Sequence, residues 1–276
     1  MDWSAISAVA GHEVKINIRN KWMLMFAAAF GCLSLTVCYF GLVTVATVGV
    51  QGFTRTTASL LNLVLYLVPL VALVMATMSF SCERGASELL FSQPISRRDV
   101  LLGKLLGLFF CIAGATCVGF GSAGAVIALR VGSEGSSRFV IFVGLALLLA
   151  LVFLSLGAMI AIILDDKAKA LGAALFVWFF FVVFYDLLAI GMTFLFKERT
   201  ANWFIFLSLF GNPVDLVRVS SLMNLGGITV FGTAGAALMK FLGGTALSSL
   251  LLSATLVAWI VGPFLVANRW LRTHDI

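Results

Sequence analysis

Asp186, preceded by Tyr185, is the one carboxylate set well inside a long apolar run. An unpaired charge there is costly, so the side chain must face a helical bundle, a cavity or a seam between copies. Two chemistries fit it: a site that attracts a cation or proton, or a carboxyl kept protonated or hydrogen-bonded by hydroxyls of neighbouring helices. Met75, Met78 and Cys82 recur at i, i+3 and i+7 and so share one helical face. Soft sulfur suits monovalent copper, but methionine also fills apolar interfaces, so no metal site is assigned and these three are the residues that would form one. Gly119-Phe120-Gly121-Ser122-Ala123-Gly124 matches G-x-G-x-x-G, yet no strand precedes it and it lies inside an apolar run. Its glycines read instead as helix packing, with Gly121 and Ala125, and Gly124 and Ala128, at small-x-x-x-small spacing. The single Gly-Lys pair, Gly103-Lys104, is followed by Leu105, so the chain has no P-loop; H-E-x-x-H and G-x-S-x-G are also missing. Nothing in it reads as an enzyme.

One segment looks made for contact. Cys82 to Asp99 reads CERGASELLFSQPISRRD. Ala86–Ser92 is too short to span a membrane and forms a compact helix whose Leu89, Leu90 and Phe91, beside Ser87 and Glu88, expose an apolar tip in water. Such a tip calls for a partner groove. Pro94 stops the helix and biases Gln93 away from helical backbone, while Glu83 and Arg84 can hold its start by local ion pairs. A passive turn needs only a few residues, and segment 83–99 spends seventeen.

The elements that position these residues follow from composition. Hydrophobic residues make up 62% of the chain and charged residues 11%, with a mean hydropathy of +1.12. That is the composition of a polytopic membrane protein. Runs at 22–47, 58–82, 100–129, 139–164, 170–196 and 246–267 are long enough to cross a bilayer as helices, and none alternates as a barrel strand would. The predicted fold is all-α, with six spans, an N-terminal helix over 1–21 and one membrane domain over 22–276. In the N-terminal segment Ile6, Val9, Val14 and Ile18 make an imperfect apolar stripe among His12, Glu13, Lys15 and Arg19. An interfacial helix lying on the lipid bilayer fits, as does a plain soluble helix. The loop 197–245 carries two half-span apolar segments, ANWFIFLSLFG and GITVFGTAGAALM, which read as re-entrant or interfacial helices. Between them Asn212-Pro213-Val214-Asp215 is a helix start, with Arg218 on the face of Asp215.

Lys15, Arg19, Lys21, Arg84, Arg97, Arg98, Lys104, Lys167, Lys169, Arg269 and Arg272 fall on one side of this layout, which places both termini in the cytoplasm. The net charge of +6 is therefore a topology signal, and no nucleic acid partner is expected. Cys32, Cys38, Cys82, Cys111 and Cys117 lie in or at the ends of spans with no C-x-x-C pair, arguing against a disulfide framework. The first apolar run is too long for a cleaved signal.

Taken together, the six-span layout, His12-Glu13 and Arg19, the pattern Glu83-Arg84, Leu89-Leu90, Pro94-Ile95-Ser96-Arg97 and Lys104, and Asn212-Pro213-Val214-Asp215 resemble the ABC-2-type permeases over essentially the whole chain. The overall sequence is most similar to the branch serving copper-site maturation of nitrous oxide reductase. The resemblance implies a bacterial inner-membrane permease with the fold of the type V exporters, working as a homodimer. A separate cytoplasmic ABC ATPase would hold the ATP and Mg, so this chain needs no cofactor. A periplasmic β-helical subunit would sit outside, with a copper chaperone as client. Segment 83–99 would be the coupling helix, and Asn212, Pro213, Asp215 and Arg218 would face the periplasmic partner or gate. Two rivals stand beside this reading: a proton-coupled secondary transporter using Asp186, and an intramembrane enzyme, which would need a nucleophile or metal set that the chain lacks.

Overall fold

The computed structural model describes residues 2–48, 52–81, 96–131, 136–164, 166–193, 207–226 and 243–273, and its elements there are helical. Cys82, Glu83, Arg84, Ser87, Glu88, Leu89, Leu90, Phe91, Gln93 and Pro94 lie outside the described residues, as do both half-span loop segments apart from 207–211. Six of the described helices are long and apolar enough to cross a membrane. They are α2 (Lys21–Val48), α3 (Gly52–Ser81), α4 (Arg97–Val131), α5 (Ser136–Ile163), a fifth span and α9 (Thr245–Thr273). The fifth span is α6 (Lys167–Phe179), a π turn (Phe180–Phe184) and α7 (Tyr185–Thr193) in one continuous run. Most helix ends lie one to six residues from the ends of the apolar runs, the widest offsets being at the start of α3, Gly52, and the end of α9, Thr273. Hydropathy marks where a helix is greasy, whereas its hydrogen-bond ladder continues into polar flanks such as Arg269–Thr273.

Because the spans alternate in direction, α1 (Trp3–Ile18), the end of α3, the start of α4 and the end of α9 share one end of the bundle. Arg97 Nη1 donates to Leu271 O at 2.6 Å and closes that end. α5 is the central post. It is apolar all round and packs on α3, α4, α6, α9 and α8 (Pro213–Gly226). By contrast the fifth span turns Leu175, Phe176, Phe179, Phe184, Leu187 and Ile190 outward, which costs nothing against lipid or another apolar surface.

The glycine-rich stretch lies within α4, as a packing element. Of the expected packing glycines only Gly124 forms a socket, however. Gly119 receives the Phe30 ring and Gly124 the Phe139 ring, and Gly121 meets no neighbour. Phe120 stands between them, 5.0 Å from Phe30 and 5.3 Å from Phe142 between ring centroids, joining α2, α4 and α5. The close helix crossing falls earlier, at Gly103 and Gly107, where α1 lies on α4. An added Cβ would come within 2.9 Å of Ile6 O at Gly103 and within 2.8 Å of Ala10 O at Gly107. Backbone contact of that kind is open only to glycine.

This crossing revises the reading of the N-terminal helix. Ile6, Ala10, Glu13 and Asn17, spaced at i, i+4, i+7 and i+11, are its buried face. Ile18 of the expected stripe is exposed, as are His12 and Arg19. The helix is pinned to the bundle through a face that includes two polar residues, which a hydrophobic-stripe argument cannot detect.

Candidate functional site

Two polar clusters stand at opposite ends of the bundle. The one far from the termini gathers around α8, whose fourteen residues reach about 21 Å and cannot cross the hydrocarbon core alone. α8 starts as the sequence predicts. Asn212 Oδ1 accepts from Val214 N at 3.0 Å, Pro213 occupies the first helical position, and Asp215 lies in the first turn. Asn212, fully buried, also donates through Nδ2 to Asp215 Oδ2 at 2.8 Å and to Phe181 O at 3.0 Å. Phe181 lies in the π turn, where Tyr185 N–H reaches back five residues to Phe180 O. Widened turns of this kind leave carbonyls accessible to outside donors.

Arg218 completes the cluster. Its Nη1 lies 2.6 Å from Asp215 Oδ1 and 3.0 Å from Asp186 Oδ2. The intramembrane acid is therefore held by a guanidinium 32 positions along the chain. Two carboxylates share one cation, so the cluster carries a formal charge of −1 when both are ionised. Burial pushes the Asp215 carboxyl up to about 7; Arg218 opposes this and Asp186 adds to it. Burial also pulls the Arg218 guanidinium down, but Asp215 and Asp186 outweigh it and hold it above its usual value. Neighbouring bonds fix the frame: Tyr185 OH donates to Ser208 O at 2.7 Å and Trp259 Nε1 to Phe210 O at 3.1 Å. Trp259 also packs edge-on against Phe181, with centroids 5.5 Å apart. A Cβ at Gly211 would overlap the Tyr185 hydroxyl, so a larger residue here would have to displace that ring from its bond to Ser208 O.

The second cluster lies at the end with the termini. Glu13 Oε1 accepts from Ser79 Oγ at 2.6 Å and from Asn17 Nδ2 at 2.9 Å. Lys104 Nζ is 3.4 Å from Ser79 O and stands 5.2 Å from the centre of the Phe80 ring. Asp2 N donates to Asp99 Oδ2 at 3.3 Å, and Ser96 Oγ accepts from Asp99 N at 3.1 Å, capping α4. Nearby, Met75 is buried in the core and Met78 is half-buried. Cys32 is exposed and Cys38 buried, so these two thiols face different surroundings.

The ABC-2 family transporter protein profile matches residues 7–276, nearly the whole chain. The chain belongs to the ABC-2 transporter family. Among curated relatives, the probable ABC transporter permease protein NosY of Pseudomonas aeruginosa is 35% identical over 237 residues, 82% of this chain and 84% of that protein. Its namesake in Stutzerimonas stutzeri is 32% identical over 238 residues, 82% of this chain and 83% of that one. ABC-2 membership agrees with the residue pattern read from the sequence and with a multi-pass helical architecture.

Within this ABC-2 chain the structure joins Asp186 to the group Asn212, Asp215 and Arg218, from which the sequence reading kept it apart. It separates Glu13, buried, from His12 and Arg19, exposed. Ser79, Asn17, Tyr185 and Trp259 enter as structural partners. A G-x-x-x-G spacing at Gly103–Gly107 was the available signal for the α1 contact.

Proposed function

We propose that this chain is the permease subunit of an ABC transporter that serves copper-site assembly of nitrous oxide reductase in a bacterial inner membrane. The observation that carries the proposal is the likeness to two NosY permeases along four-fifths of the chain. The chain has no P-loop, so the motor is a separate cytoplasmic ATPase docking on segment 83–99, with both termini on that side. A second copy of the chain pairs with it, and a periplasmic β-helical subunit and a copper chaperone complete the assembly.

The packing supports a mechanical route. α3 leads directly into segment 83–99 and lies along α5, while α5 and α3 both touch α8. Motor closure displaces segment 83–99, rigid spans carry the displacement across the membrane, and the Asp186–Arg218–Asp215 cluster latches α8 to the fifth span as a gate or partner contact. Pairing with Arg218 makes Asp186 part of that latch and counts against a free carrier carboxylate. The spacing of the sulfur residues in sequence offers no crossing relay, which supports a permease that transmits force or carries something other than bare copper.

Leu90→Asp and Phe91→Asp test the docking. Each places a charge on the apolar tip, and loss of the ATPase during purification in mild detergent, with the permease still membrane-inserted, is expected. Full copurification and full function in both variants would remove segment 83–99 from the interface.

A further inference from the structure

Glu13 is 5% exposed, which is unusual for a carboxylate on a helix that could have turned it to water. Its Oε1 takes a hydrogen bond from Ser79, on the last turn of α3, and one from Asn17, which also donates to Glu13 O at 2.9 Å. α3 ends at Ser81, just before segment 83–99, and α4 begins at Arg97, within the last three residues of that segment. α4 is fastened to α1 by the glycine crossing at Gly103 and Gly107, where the Glu13 Cβ would lie 2.6 Å from a Cβ added at Gly107, and by Asp2 N to Asp99 Oδ2. The two helix ends bracketing the segment are therefore both attached to the N-terminal helix, by different means. On the α4 side the attachment is broad backbone contact, which moves as one body. On the α3 side it includes a short carboxylate–hydroxyl bond, directional and made by one atom pair.

From this juxtaposition we propose that Glu13 is a positioning residue of the coupling apparatus: it makes α1 a working lever that follows displacement of α3 relative to α4. The proposal rests on the reading that an ATPase docks on segment 83–99. Passive attachment of α1 needs only the apolar and glycine surface already present at Ile6, Ala10, Gly103 and Gly107. A buried acid aimed at Ser79 adds desolvation cost and gains orientation, which suits a joint whose geometry must be kept through a stroke.

The test uses the full permease–ATPase complex in lipid nanodiscs, comparing the unaltered chain with Glu13→Gln, Glu13→Ala and Ser79→Ala. Backbone hydrogen exchange of residues 3–18 is measured with and without ATP, alongside bound ATPase and its hydrolysis rate. ATP is expected to change exchange across α1 in the unaltered complex. Glu13→Ala and Ser79→Ala should cut that ATP-dependent change roughly fivefold, the factor one buried hydrogen bond represents, while ATPase stays bound and hydrolysing. Glu13→Gln should keep it, because its amide oxygen accepts from Ser79 and Asn17 in the same way. A purely structural role would raise exchange equally with and without ATP, and that outcome overturns the proposal, as does an undiminished ATP response in Ser79→Ala. Failure of any ATPase to copurify with the unaltered chain overturns the docking reading and this inference with it. Copurification with an unchanged ATP response in the Ala variants overturns this inference alone.

Discussion

At the end with the termini, Glu13 takes its hydrogen bonds from a hydroxyl and an amide; at the far end, Asp186 and Asp215 converge on one guanidinium. The first arrangement is built by shape. Glycines bring α1 and α4 into backbone contact, and one carboxyl oxygen is aimed across to α3. The second is built by charge, with two acids competing for one base inside a frame of Asn212, Tyr185 and Trp259. A joint made by shape should respond to changes in volume and hydrogen-bond geometry, while a latch made by charge should respond to pH and to unbalanced substitutions. The contrast is what the proposed function asks for, with force received at one end and a contact released at the other.

The strongest way to break this contrast is Arg218→Ala. It leaves Asp186 and Asp215 facing each other without a cation, and about 2–3 kcal/mol of stability should be lost. The expectation sits below the value for a fully buried pair because the Arg218 side chain is 28% exposed. Thermal unfolding in detergent measures the loss, and the triple change Asp186→Asn, Asp215→Asn, Arg218→Met should recover most of it by removing all three charges together. Equal damage from the single and triple changes would show that the cluster holds by shape after all.

How much of this could be read beforehand depends on the range of the contact. The spans were legible because a helix in lipid closes its own hydrogen bonds, so length and apolarity suffice. The Asn212–Arg218 helix start was legible for the same local reason: cap, proline, acid and base all lie within seven residues. Asp186 was visible as an anomaly, but its partner was not, because nothing in a single sequence links positions 186 and 218. Glu13 was placed on an interfacial helix, since a helix with a weak apolar stripe suggests a surface position. Its burial depends on two glycines ninety or more positions away, Gly103, which the sequence reading weighed only as part of a nucleotide loop, and Gly107, which it did not weigh. The π turn left no mark in FFVVF itself; Asn212 Nδ2, far along the chain, donates to Phe181 O within it.

A milder test separates the clusters by pH. With the Asp215 carboxyl raised to about 7, the folded chain keeps a proton that the unfolded chain releases near pH 4. Stability should therefore decline as pH rises between those values and level off above the upper one, with a slope of at most about 1.4 kcal/mol per pH unit from this group. Asp186, Arg218, Tyr185 and Tyr66 are the titratable groups nearest to it. Asp215→Asn retains an acceptor for Arg218 and should flatten the decline, leaving one acid and one base. Unfolding temperature measured from pH 5.5 to 8 in both proteins checks this, and parallel curves would place the titrating group elsewhere. Ser79→Ala, at the other end, should shift the curve without changing its slope.

The smallest effect is expected from a rival chemistry beside the shape-built joint. Met75 and Met78 lie on α3 within a turn or so of Ser79, and Cys82 follows on the same helical register in sequence. If the end with the termini handled copper, these sulfurs would be its ligands, because monovalent copper selects thioether and thiolate and is costly to strip of ligands in hydrocarbon. Met75 belongs to the buried core with Leu73 and Ala76, and Met78 is half-buried, positions that methionine also takes as apolar filler. Replacing Met75 and Met78 by Leu and Cys82 by Ala conserves most of the volume and should cost less than about 1.5 kcal/mol per methionine site. Copper content of nitrous oxide reductase in cells carrying the triple variant should match that of cells with the unaltered chain, provided the permease–ATPase complex assembles and hydrolyses ATP. Loss of copper in a complex that still assembles and turns over would show that this end does chemistry as well as mechanics. The contrast between a mechanical end and a charged end would then have to be redrawn around a sulfur site.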